Sequence, residues 1–229
     1  MPLQRHAGPS LLVLTLAYVA LFVASGSKVS VAFHVPHDSA AAVAFVAEKG
    51  WAIRWGSFFE FASAIPLGIF MAATVSRLRF LGIRAAGEQI AALGGIATPI
   101  MLACSALATW SLTRPGVAAA PGAVAALQSA GFDGGGPGFA VFLGLFLAGV
   151  SVSAGLSKLI PRWLMALGIF IAAAGELSSF TLVNFTAGYF IPVTRYLSIL
   201  WMLGLAWKLP GALSAVKDGS SGTAVRLDA

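Results

Sequence analysis

An all-α, polytopic transmembrane helix bundle with six spans is the fold class this sequence predicts, on three observations. Of its 229 residues, 59% are hydrophobic and only 10% charged, against roughly 25% charged in a soluble domain. Six apolar stretches, at 11–33, 52–75, 88–111, 138–157, 162–184 and 190–208, reach the length of about 20 residues that crosses a bilayer. Nine of the 14 Lys and Arg residues lie outside these stretches, six in the connections and three in the terminal segments. One transmembrane domain is expected over 1–210, with a polar, disordered tail over 211–229.

The first stretch admits two readings. Arg5, the apolar run Leu11–Ala24 and the small residues Ser25-Gly-Ser27 fit a cleavable signal peptide. Apolar residues continue through Val29, Val31 and Phe33, which favours a retained span. Residues 34–50 read as a connection holding His34, His37, Asp38, Glu48 and Lys49. The second stretch then carries Arg54 near its start and Glu60 well inside. The third opens on Glu88-Gln89, where a carboxylate in the first turn complements the helix dipole. A longer connection follows over 112–137, with room for a short interfacial helix at Ala123–Ala130 stopped by Gly131. On the fourth stretch, Gly144, Ala148, Ser151 and Gly155 form a small-residue stripe of the kind that packs helices together. Pro66 and Pro99 lie inside spans, each removing one backbone hydrogen bond. All six tryptophans, Trp51, Trp55, Trp110, Trp163, Trp201 and Trp207, fall where span ends are expected, as in an aromatic belt.

Orientation follows from the basic residues. With the N-terminus inside, nine Lys and Arg residues fall on the cytoplasmic side and four outside, with Arg195 left over near the start of the last span. The positive-inside rule therefore places both termini in the cytoplasm. This pattern also accounts for the formal net charge of +6 without a nucleic-acid partner.

Ionisable residues inside a membrane are expensive and mark functional sites by default. Glu60 lies about 9 Å beyond Arg54 at 1.5 Å per residue, Glu176 about 12 Å before Asn184, and Arg195 about 9 Å after Tyr189. Three charges on three helices thus reach one level in the outer half of the membrane. Each glutamate sits on a face of small residues, Gly56, Ser57, Ser63 and Ala64 about Glu60 and Ala172, Ala173 and Ser179 about Glu176. Both are expected to point into the bundle, with Arg195 as counter-ion to one of them. Glu60, Glu176, Arg195 and Arg54 form the candidate polar pocket. The competing expectation is a buried ion pair that only fixes helix packing.

No catalytic set is legible. There is no H-E-x-x-H, no G-x-x-x-x-G-K and no histidine inside a span, so phosphate-binding loops, zinc-protease helices and bis-histidine haem sites find no residues. His34, His37 and Asp38 could ligate zinc, but Pro36 breaks their helical spacing and no further ligand follows. No cofactor is expected. The single cysteine, Cys104, cannot form an intrachain disulfide. The expected partners are the lipid bilayer and either a small-molecule ligand or another protein.

Gly56-Ser-Phe-Phe-Glu60, Leu159-Ile-Pro-Arg-Trp-Leu164, Leu200-Trp201 and Leu209-Pro210 give the chain a family likeness. It resembles a domain-of-unknown-function family of short six-helix bacterial integral membrane proteins. The resemblance implies a bacterial inner-membrane protein and assigns no residue a role. Two functions remain open: binding or transport of a small molecule or ion through the outer-half pocket, or a structural, accessory role in a membrane complex.

Overall fold

The computed structural model describes residues 6–28 and 39–212. Among these residues seven α-helices follow in order: α1 Leu11–Lys28, α2 Ser39–Phe80, α3 Ala86–Ser111, α4 Pro121–Asp133, α5 Phe139–Leu156, α6 Arg162–Leu177 and α7 Phe190–Lys208. A five-residue π turn, Gly134–Gly138, joins α4 to α5, so Pro121–Leu156 is one rod and the helices form six rods. Five of them are long and apolar enough to cross a membrane: Ala40–Phe80, Ala86–Ser111, Pro121–Leu156, Arg162–Leu182 and Phe185–Lys208. The sixth apolar helix, Leu11–Gly26, is shorter.

Three expectations need correction. Residues 39–50 are not a connection but the first turns of α2, which runs for 42 residues. That is about 63 Å, twice the thickness of a hydrocarbon core. The extension is held because Ala42, Val46 and Ile53 of α2 bury themselves against Leu112 and against Val124 of α4, making a small second core beyond the main one. The expected interfacial helix at Ala123–Ala130 is likewise part of a longer element. It does not stop at Gly131, because that glycine packs tightly on α3, where a Cβ would stand 2.8 Å from Thr109 Oγ1. The fifth span is found as expected over Arg162–Leu182, leaving α-geometry at Leu177 and finishing as a 3-10 helix over Ser178–Leu182. Finally, Trp201 is not in a belt. It is fully buried, donates Nε1–H to the Leu164 carbonyl at 3.1 Å, and meets Phe146 edge-on at 6.2 Å.

Packing is set by glycine. A Cβ on Gly94 of α3 would lie 2.5 Å from the Phe142 carbonyl oxygen and from the Phe146 nitrogen, so the α3 and α5 backbones touch. Gly144 and Gly175 bring α5 and α6 together in the same way, and Gly144, Ser151 and Gly155 of the small-residue stripe all face α6. Contacts of this kind suit membranes, where lipid is as apolar as leucine and close packing must do the associating. A continuous apolar core, including Phe70, Phe146, Leu164 and Trp201, fills the bundle.

Both ends of the described chain meet. The His6 amide donates to the Gly211 carbonyl at 2.9 Å, and the His6 ring lies against Phe80 and Ser76 at the end of α2. An even number of rods puts both ends on one side of the bundle. At the same end of the bundle, Arg79 Nη2 lies 2.6 Å from Glu88 Oε1, an ion pair at the turn between α2 and α3. The turn itself is made by Gly82 at φ +84°.

Candidate functional site

At the opposite end, where α1 and α3 finish, the bundle encloses a cavity of about 440 Å³. Small-molecule sites occupy about 300–1,000 Å³. Five helices and the π turn form its wall. Phe22 comes from α1, Ile53, Ser57 and Glu60 from α2, Ser105 from α3, Gln128 from α4, Gly135 from the π turn, and Arg195 and Tyr196 from α7.

Among the described residues, Glu60 and Arg195 are the only charged ones in that lining. They do not form an ion pair: among the described residues, the pairs within 4 Å are Lys49–Glu48 and Arg79–Glu88. Arg195 Nη2 instead donates to the Gly135 carbonyl, and its guanidinium stacks 4.8 Å from the Phe139 ring centre and 5.4 Å from that of Phe22. Glu60 Oε1 faces Ser105 Oγ at 3.1 Å. The same hydroxyl lies 2.8 Å from the Gly131 carbonyl, so its single proton serves one acceptor at a time. Gly135 stands between the charges, since a Cβ there would come within 2.5 Å of Ser105 Oγ and 3.6 Å of Glu60 Oε1.

The π turn makes this geometry possible. Pro137 has no N–H to place in an α ladder, and the glycines on either side accept the wider turn. π turns inside α-helices occur frequently at functional sites. Here the turn presents Gly131 and Gly135 carbonyl groups sideways to Ser105 and Arg195.

Polar atoms without protein partners collect at this cavity. Ser57, only 3% exposed, has an unbonded hydroxyl, and Gln128 Oε1 and Arg195 Nε are also buried without a partner. The Tyr18 hydroxyl is also buried without a partner, behind the lining residues and close enough to feel the charges of Arg195 and Glu60. Buried polar atoms normally find hydrogen bonds, and exceptions are few. A polar ligand or ordered solvent would supply a partner for the three that line the cavity.

The other sequence candidates lie elsewhere. Glu176 is exposed at the end of α6, beside Gly144 of α5, and does not point into the bundle as expected. The small residues around it allow α5 and α6 to approach, and the carboxylate is left on the outside. Arg54 is exposed on α2 and is not part of the cavity wall, because the six residues separating it from Glu60 place the two on different faces. His34, His37 and Asp38 lie outside the described residues. Among the described residues, no three His, Cys, Asp or Glu side chains group as metal ligands would.

Sequence reasoning missed Ser105, Gln128 and Gly135. The Gly134–Gly138 run was the available signal, because glycines and a proline embedded in an apolar context mark a helix distortion.

The fold and site together define a class: a multi-rod helical bundle, compatible with a membrane-embedded protein, with a charged cavity near one end. Comparison with family models, with curated proteins and with solved structures finds no match to this chain.

Proposed function

We propose that this chain is a multi-pass inner-membrane protein that binds a small polar molecule in the Glu60–Arg195 cavity, as a receptor site or as one stage of transport. One observation carries the reading: buried polar atoms of Ser57, Gln128 and Arg195 lack protein partners and all belong to one open cavity. A scaffold whose charges only held helices together would close them on each other. Full-length protein purified in mild detergent should release a small molecule on denaturation, at close to one per chain, identified by mass spectrometry. Ser57→Trp fills the cavity and should lose it. Equal amounts in both proteins, or none in either, would refute the reading.

Both termini belong on the cytoplasmic side in this proposal, supported by the nine-to-four distribution of basic residues. A reporter active only outside the cytoplasm should work when inserted at Gly116, an exposed turn at φ +84° between α3 and α4. Activity of a cytoplasmic reporter at that turn would invert the topology.

Glu176 favours a second reading, an accessory subunit of a membrane complex. An exposed carboxylate on a membrane-spanning helix is costly, and a partner's donor would relieve it. The mass of the detergent-solubilised particle tests this: a single chain in the mildest extraction removes the accessory reading.

A further inference from the structure

The cavity has an opening at its side. Val23 of α1 and Tyr196 of α7 both line it, yet they are 61% and 53% exposed. Val23 lies twelve residues after Leu11, the start of α1, and Tyr196 twelve before Lys208, the end of α7. Each is therefore about 18 Å from the end of the bundle where the termini meet. That depth falls within a hydrocarbon core of about 30 Å. In a bilayer laid across the apolar spans, side chains exposed there would face acyl chains, and the α1–α7 seam would be the cavity's opening on that side.

The polar wall has a definite complementarity. Arg195 Nε–H needs an acceptor, while Gln128 Oε1 needs a donor. Glu60 has the shared proton of Ser105 at one oxygen and calls for further donors. The two charges cancel formally and stand more than 4 Å apart, yet close enough to interact. A molecule with an ammonium and an anionic oxygen a few bonds apart would satisfy both ends at once. A purely anionic headgroup would leave Glu60 facing like charge, and a quaternary ammonium has no N–H for Gln128 or Glu60.

We propose that the cavity takes a zwitterionic amphiphile with a primary ammonium, of the ethanolamine-phospholipid kind, entering sideways between α1 and α7. The ammonium sits at Glu60 and Gln128, a phosphate oxygen sits at Arg195, and the acyl chain leaves past Val23 and Tyr196. This rests on the cavity being a ligand site at all.

The test is native mass spectrometry of the full chain from nanodiscs holding equal amounts of ethanolamine, glycerol and choline phospholipids with identical chains. The expected result is retention of ethanolamine lipid at least tenfold over the other two. Glu60→Gln and Ser57→Ala should each reduce it several-fold, Ser57→Ala without loss of fold because that hydroxyl bonds nothing. Val23→Trp, on the lipid-facing rim, should block retention of the lipid. Phosphoethanolamine without chains should bind far more weakly than the lipid. Equal retention of all three lipids would overturn the proposal, as would retention indifferent to Glu60→Gln, or free phosphoethanolamine binding as tightly as the lipid and unaffected by Val23→Trp. If the purified protein carries some other small molecule that Ser57→Trp removes, only the headgroup and lateral route fail; if it carries nothing, the ligand site fails with them.

Discussion

Arg195 and Glu60 share one cavity wall without touching: the guanidinium is held by the Gly135 carbonyl, the carboxylate by Ser105. Opposite charges in contact at 4 Å are worth about 4 kcal/mol at an effective dielectric of 20, falling to about 2 kcal/mol at 7–8 Å. Glu60→Gln, Arg195→Gln and the double variant, unfolded in detergent, should therefore give a coupling of about 1–2 kcal/mol. The Arg195 change should be the more damaging single substitution, by about 1–2 kcal/mol, because it also removes a charge-assisted bond and two ring contacts. A coupling near zero would show that the two charges do not sense each other across the cavity.

Gly135 is the hinge of this arrangement, and its side is occupied. Gly135→Ala would drive a methyl into Ser105 Oγ, with an overpacking penalty of about 1–3 kcal/mol. The Ser105 hydroxyl must rotate away, releasing Glu60 and the Gly131 carbonyl together. The expected outcome is a folded protein that has lost its ligand. Ser105→Ala should reproduce the ligand loss with a smaller change in stability. Unchanged ligand content in both variants would detach the π turn from the site.

Legibility in the sequence differs element by element. α7 matches its expected span at 190–208, because Pro192 and Lys208 frame an apolar stretch of the right length. Glu60 is legible as a residue turned into the bundle, since a carboxylate deep in a long apolar run is tolerated only beside polar neighbours. Glu176 has the same local pattern and faces outward. Small residues permit close approach on either side of a carboxylate, so composition does not give the rotation of a helix about its axis. The α4–α5 rod is hidden by its own glycines, which read as a stop in isolation and become a π turn only when α3 and α7 supply partners. Trp201 reads as a belt residue because its position along the helix is legible and its direction is not. Gly168, across from it, makes the room it needs.

Arg79 and Glu88 close the other end of the bundle. The Glu88 carboxylate is buried at 3% exposure while Arg79 is 55% exposed, and both Arg79 Nε and Nη2 reach Glu88 Oε1 at 2.6 Å. Sequence suggests only a dipole effect at Glu88; the arginine partner nine residues earlier becomes adjacent through the Gly82 turn. Removing one partner of a fully buried pair costs about 3–5 kcal/mol. Arg79 is half in solvent, and Gln89 Nε2 still donates to Glu88 Oε2 at 3.0 Å. Arg79→Ala should therefore cost less, about 1–2 kcal/mol, and the loss should persist at high salt because the carboxylate is buried. Glu88→Gln with Arg79→Ala should recover part of it. Complete loss of the effect in about 1 M salt, where the screening length is about 3 Å, would mean that the pair is a surface contact.

Packing glycines and permissive ones respond differently to alanine. At Gly94 the nearest atoms are backbone of α5, the Phe142 carbonyl and the Phe146 nitrogen, which cannot rotate away as a side chain can. Gly94→Ala must push two helices apart along a seam that holds the core together, so its cost should lie at the upper end of the overpacking range, about 3 kcal/mol. Gly122, in the first turn of α4, has nothing within 4 Å of where its Cβ would be. Its helical backbone favours alanine by up to about 1 kcal/mol, less near a helix end. Gly122→Ala should therefore be neutral or slightly stabilising. Thermal unfolding of both variants in the same detergent measures the difference. If Gly94→Ala unfolds at the wild-type temperature, α3 and α5 do not pack backbone to backbone, and the wall that Ser105 and Gly135 build between them would have to be redrawn.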